Sequence, residues 1–228
     1  MKTCSAFLAV ILLLLMVGVT AADMHEATVY VVHGIPGVLV DVEIGGVGCA
    51  LQGFDFGDIA GPLSLPEGTY NIKIRPANAG SPCSEAPVIE ADVPFAAGEN
   101  VTIVAHLDDM GSPTASKFDN DFSATGRGMA RLIVHHTAYA PMVDIKVSRN
   151  GGNSPKVMVN DFSNGDQAAA ETRPGDWFVS IMPAGSMTPV FGPIAVELEP
   201  FTAYRIYAVG DVGGGTFTLL VFPYGGLR

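Results

Sequence analysis

Cysteine and charge are both scarce in this chain. Three cysteines and one tryptophan occur in 228 residues, and Asp, Glu, Lys and Arg together make up 15%. No basic cluster interrupts a formal net charge of -11, so nucleic acid and anionic membrane surfaces, which an acidic protein repels at long range, are poor partners. There is no G-x-S-x-G elbow, H-E-x-x-H pair, P-loop or dinucleotide-binding glycine fingerprint, which leaves the familiar hydrolase, metalloprotease and nucleotide-dependent chemistries without their usual carriers. After residue 22 no segment keeps an apolar period of 3.6 residues over several turns, and Gly or Pro intervenes about every ten residues. Long helices are thereby excluded.

What is present begins with an address. Met1, Lys2 and Thr3 precede an apolar run over residues 6–19, and the small residues Thr20, Ala21 and Ala22 follow it. The run is short for a membrane span and ends at a cleavage-type site, so residues 1–22 read as a secretory signal peptide. Uncleaved, the same segment would serve as an N-terminal anchor; cleaved, it leaves a chain with no stable membrane insertion. A secreted, periplasmic or cell-surface location follows. Cys4 leaves with the signal, and the remaining pair, Cys49 and Cys83, reads as a disulfide in an exported chain. Closing a loop of about 35 residues stabilises the fold by about 4 kcal/mol in the chain-entropy model. Zinc is the competing reading, but the two cysteines lack C-x-x-C spacing.

Much of the sequence is written twice. "TVYVVHGIPGVLVDVEI" from Thr28 is answered by "ARLIVHHTAYAPMVDIKV" from Ala130, "LPEGTYNIKIRPANA" by "TRPGDWFVSIMPAGS", and "FAAGENVTIVAHLDD" by "LEPFTAYRIYAVGDV". The same order at nearly the same spacing indicates a tandem duplication, with units at 25–124 and 127–228 joined by a short link rich in small residues. Within each block apolar residues alternate. Tyr70, Ile72 and Ile74 take one face against Asn71, Lys73 and Arg75, and Trp177, Val179 and Ile181 repeat the pattern. That is the period of half-buried strands, and each unit is predicted to be a sandwich of two antiparallel sheets, making the protein all-β.

The strand ending "VVH" or "IVH", the proline-bearing turn, "VDV" or "VDI", "LPEGTY" and the closing "VTIVA" strand together resemble the DUF4397 domain. The resemblance covers nearly all of the chain after residue 22 and is clearer in the first copy. It implies an immunoglobulin-like or transthyretin-like β-sandwich in a cell-surface or envelope setting, and it implies no chemistry.

Several residues carry candidate roles. His33 and His135, each several residues before Asp41 or Asp144, could form His/Asp pairs of a secreted hydrolase. The favoured reading makes all four structural, with each histidine bonding the backbone of the turn after its strand, since a fold-determining residue must recur in both copies. His135 and His136 are neighbours on a strand and face opposite ways, so they do not make a metal pair. Acidic loops holding Asp108, Asp109, Asp119, Asp121, Asp161 and Asp166 make Ca²⁺ the candidate metal, although none has EF-hand spacing and solvated loop acids are the commoner case. No cofactor is predicted. Phe178 and Tyr207 fall on the polar phase of their strands, which makes them candidates for an exposed patch contacting a glycan or protein ligand. The function expected from these observations is an exported, non-enzymatic binding or structural module of the envelope or extracellular space.

Overall fold

The computed structural model describes residues 25–149 and 156–228. The expected signal peptide lies outside the described residues. Among those residues there are sixteen strands and no helix, and therefore no helix long and apolar enough to cross a membrane. The first eight strands are β1 (Glu26–His33), β2 (Val40–Ile44), β3 (Gly48–Phe54), β4 (Ile59–Pro66), β5 (Gly68–Pro76), β6 (Ile89–Phe95), β7 (Asn100–Leu107) and β8 (Pro113–Asp119). The second eight are β9 (Ala130–His136), β10 (Val143–Arg149), β11 (Lys156–Phe162), β12 (Gln167–Thr172), β13 (Gly175–Pro183), β14 (Phe191–Leu198), β15 (Thr202–Val209) and β16 (Thr218–Gly225).

Each set of eight folds into two four-stranded sheets with one topology. The orders are β4-β1-β7-β8 and β3-β2-β5-β6 in the first unit, and β12-β9-β15-β16 and β11-β10-β13-β14 in the second. In both, the first strand pairs in parallel with the seventh, and the other pairings are antiparallel. The alternating sequences put one side of each strand into a core between the sheets, as a period of two requires. Val29, Val31, Val42, Ile74 and Ile103 are buried in the first core, and Leu132, Val134, Ile145, Ile181 and Ile206 in the second.

The pairing fixes how the copies correspond. His33 lies opposite Ala105, and His136 lies opposite Ala208. The backbone N–H of His33 donates to Asp58 O and that of His136 to Asp166 O. His136 is therefore the counterpart of His33, which corrects the match with His135 that the repeated "VH" suggested. The adjacent histidine shifted the apparent alignment by one residue.

The two units share a third apolar cluster. Val32, Val104 and Phe118 of the first pack with Tyr207 and Val209 of the second, flanked by Phe56, Ile59, Leu220 and Phe222. The Tyr207 hydroxyl donates to Thr102 Oγ1 (3.1 Å), Asn164 Nδ2 to Leu107 O (2.9 Å), and Gly210 N to Gly34 O (3.2 Å). Close approach requires glycine at 34, because a Cβ there would sit 2.9 Å from Val209 Cγ1. The link between units is tied down by Arg131, whose guanidinium donates to the carbonyls of Asp121, Ser123 and Ala124 and pairs with Asp121 and Glu171.

Candidate functional site

The histidines and aspartates singled out by the repeat are buried and committed to backbone. His33 Nε2 donates to Val38 O (2.8 Å), across the turn that follows β1. His136 makes the corresponding bond to Pro141 O (3.2 Å). Burial pushes both imidazoles below the ordinary histidine pKa and so favours their neutral forms. The carboxylate of Asp41 accepts from the backbone N–H of Gly53 (2.9 Å), Asn78 (3.2 Å) and Cys83 (2.9 Å). Burial alone would raise its pKa, but the three bonds outweigh that and hold it below the usual carboxylate value. Asp144 accepts from Asp161 N and Gly185 N, both at 3.1 Å. Each aspartate thus ties its strand to the irregular backbone just before the end of the next strand and to the turn after the third strand of its sheet. Asp161 takes positive φ (50°) at the place where the first unit has Gly53 (60°).

His135 has a different position. It points out of the second core, stacks on Tyr207 (4.2 Å between centroids, 14° between planes) and meets Phe118 edge-on at 4.7 Å. Its Nδ1 donates to Ile206 O (3.2 Å), on the neighbouring strand and not on the following turn. Burial lowers its pKa to about 4. Asp144, by contrast, is engaged in the other sheet of the same unit.

The aromatic pair expected to form an exposed patch does not come together. Tyr207 is fully buried between the units, because the face of β15 that looks polar in the sequence is the one covered by the first sandwich. Phe178 is half-buried on β13, out of phase with Trp177 and Val179, which pack against the second core. The two aromatics therefore lie on opposite outer faces of the second sandwich.

Cys49 and Cys83 are joined in a disulfide, which fastens β3 to the loop after β5 and fits an oxidising, non-cytoplasmic compartment. Asp41, Cys49 and Cys83 bring potential ligand atoms within 4.8 Å of one another. The sulfurs are bonded to each other and the carboxylate already accepts three N–H groups, so this cluster has no free donors for a metal. Among the acidic loops, Asp108 caps Met110 N and Ser112 N, Asp121 accepts from Ser123 and pairs with Arg131, and Asp166 accepts from Ser163 N.

The feature that sequence reasoning missed is a cavity of about 330 Å³ between the sheets of the second sandwich. Its walls are aliphatic and aromatic, including Val134, Ile145, Val179, Ile194, Phe217 and Leu219. Exposed Val190, Val212 and Val221 also line it, so it opens to solvent among them. At three corresponding positions the second unit carries the smaller side chain, none of them on the cavity wall. Ile35 and Ala138 each lie two residues beyond matching histidines, and Phe95 and Leu198 lie opposite matching glycines. Leu63 of β4 is replaced by Ala170 of β12.

The edges differ as well. Strands β6 and β8 of the first unit approach each other. Lys117 closes the first edge by donating to Pro94 O (2.6 Å), pairing with Glu99 (2.6 Å) and lying 5.1 Å over the Phe95 ring. The second unit has Val221 there. Across its gap Phe191 and Phe217 meet edge-to-face at 5.1 Å.

A family model described as "Domain of unknown function (DUF4397)" matches residues 27–146, which span the first sandwich and run into β10. The chain belongs to this family. The family's description assigns no activity. No curated protein matches the chain. Among solved structures, the Bacillus anthracis TIE protein is similar at 13% identity with a TM-score of 0.27, the match covering 82% of this chain and 33% of that one. The chain thus spans about a third of that protein's length.

Proposed function

We propose that the protein is an exported, non-enzymatic binding module whose second sandwich holds an apolar ligand between its sheets. The observation that carries this reading is the open cavity of about 330 Å³, within the size range of small-molecule sites, roughly 300–1,000 Å³. A void of that size, left empty, would forfeit on the order of several kcal/mol of packing, a large part of what a domain this small has to spare. A ligand supplying methylene or aromatic groups restores those contacts, at about 0.8 kcal/mol per buried CH₂. In the first unit Ile35 and Phe95 are buried in the core and Lys117 bridges β8 to β6, and in this reading the ligand belongs to the second copy.

A non-enzymatic role is supported by the state of the candidate catalytic groups. No hydrogen bond joins His33 to Asp41 or His135 to Asp144, and each is buried and engaged with backbone. A general base needs a proton to abstract within reach of a prospective substrate, and burial with backbone bonding works against that. The apolar cavity takes the place of the glycan-contacting patch in this reading, since Tyr207 is covered.

The test is titration with a soluble fluorescent apolar probe, such as N-phenyl-1-naphthylamine, against the wild-type protein and the cavity-filling variants Ile145→Phe and Val179→Phe. The wild type should bind with enhanced fluorescence and a midpoint of thermal unfolding that rises with probe concentration. The variants should stay folded and lose binding at least ten-fold. Unchanged binding in folded variants would place the probe elsewhere and refute the site.

A further inference from the structure

The cavity leads to one end of the second sandwich, and that end is unusual for so acidic a protein. Strands β9, β13 and β15 run in one direction, so the loops that follow them, residues 137–142, 184–190 and 210–217, emerge at the same end. All three contribute to the cavity wall, through Ala140 and Pro141, Val190, and Val212 and Gly215. They also display large apolar side chains to solvent. Met187 is 84% exposed, Val190 58%, Met142 51% and Val212 43%, with Tyr139 exposed beside them. Residues 137–142 and 184–190 carry no charged side chain, and 210–217 carry only Asp211. The corresponding loops of the first unit include Glu85, Asp108 and Asp109.

Solvent-facing methionines and valines are costly in water, and grouped apolar exposure marks an interaction surface; the charges beside this one are Asp211 and the Lys146 ammonium, 3.7 Å from Met187 Sδ. Here that surface surrounds the mouth of an apolar cavity, which distinguishes it from a flat protein-docking patch. A protein partner would cover the rim and leave the cavity unfilled; a lipid surface meets both, since its interior offers chains that match the walls and its boundary accepts shallow apolar insertion. Charge narrows the kind of lipid. A formal net charge of -11 opposes anionic bilayers, whereas a neutral, zwitterionic surface imposes no such repulsion. We infer that the loop end of the second sandwich docks on a neutral lipid surface through Met142, Met187, Val190 and Val212, and that the occupant of the cavity is one acyl chain drawn from that surface. This rests on the apolar-ligand reading above and adds to it both the ligand class and its source.

The experiment is flotation of the protein with phosphatidylcholine vesicles and with phosphatidylglycerol vesicles, run beside the soluble-probe titration. Wild type is expected to float with phosphatidylcholine and at least five-fold less with phosphatidylglycerol, and lysophosphatidylcholine is expected to displace the probe. The rim variant Met142→Asp/Met187→Asp changes two residues outside the cavity wall. It should lose vesicle binding at least ten-fold while its probe affinity stays within two-fold of wild type, which also verifies its fold. Probe binding without flotation of the wild type would overturn the lipid-surface inference and leave the cavity reading standing. Equal flotation of the rim variant, equal capture by phosphatidylglycerol, or failure of lysophosphatidylcholine to compete would each overturn it as well. Loss of both probe binding and flotation in the wild type would remove the cavity reading and the inference together.

Discussion

At the scale of single residues, Asp41 shows how much structure one carboxylate can hold. It is almost wholly buried, and its two oxygens satisfy three backbone N–H groups from segments far apart in sequence, at Gly53, Asn78 and Cys83. Asp144 satisfies two. Replacing a carboxylate oxygen with an NH₂ group turns an acceptor into a donor facing other donors, and buried polar groups left without partners cost about 1–3 kcal/mol each. Asp41→Asn should therefore lower stability by about 2–3 kcal/mol and Asp144→Asn by less, measured as shifts in the urea midpoint. Equal, small shifts would show that water readily replaces the carboxylate. The alternation of Asp41 with Val40 and Val42 places its side chain off the apolar phase, and the structure gives that position its reason. The aspartate turns toward bulged backbone that the sequence pattern does not display.

At the scale of strands and edges, the two sandwiches use the same topology and close it differently. The first edge is held by Lys117, whose ammonium bridges from β8 to the Pro94 carbonyl on β6 and to Glu99. Charge-assisted hydrogen bonds are the stronger kind, though partial solvent exposure weakens this one. Lys117→Val, which copies the residue at the matching place in β16, should cost on the order of 1 kcal/mol and speed amide exchange in β6 and β8. Unaltered exchange would mean that packing around Phe95 closes the edge without the lysine. The difference between β8 and β16 lies in which side chain reaches across to the other sheet.

At the scale of the whole molecule, the units are joined through a buried aromatic contact, not merely tethered. His135 occupies the place that Val32 holds in the first unit and stacks on Tyr207 within this junction. Burial lowers its pKa from 6.5 to about 4, so the folded protein binds that proton less readily than the unfolded chain does. Its contribution to stability is complete above about pH 6.5 and is lost as pH falls toward 4, to the extent of about 3 kcal/mol. His33, His106 and His136 are shifted in the same direction by burial. Unfolding free energy should thus fall between pH 7 and 4, and His135→Val should flatten part of that slope. An identical slope in the variant would assign the acid sensitivity to the other histidines.

The sequence by itself determined the all-β class, the duplication and the cysteine pair. Each is carried by local signals: a period of two, turn residues at regular intervals, three repeated blocks and an even number of cysteines after the N-terminal apolar run. It also marked His33, Asp41, His135 and Asp144 as residues of the fold on the ground that they recur, but the residue matching His33 is His136. Only the tertiary structure decided which apolar faces meet. Tyr207 sits on the polar phase of β15 and is buried because another sandwich covers that face, while Phe178 on β13 remains at a different surface. The cavity escaped notice for the same reason. Its walls read as ordinary strand residues, and whether such residues fill a core or leave room in it depends on the separation of two sheets, which is set by contacts across them and not along them.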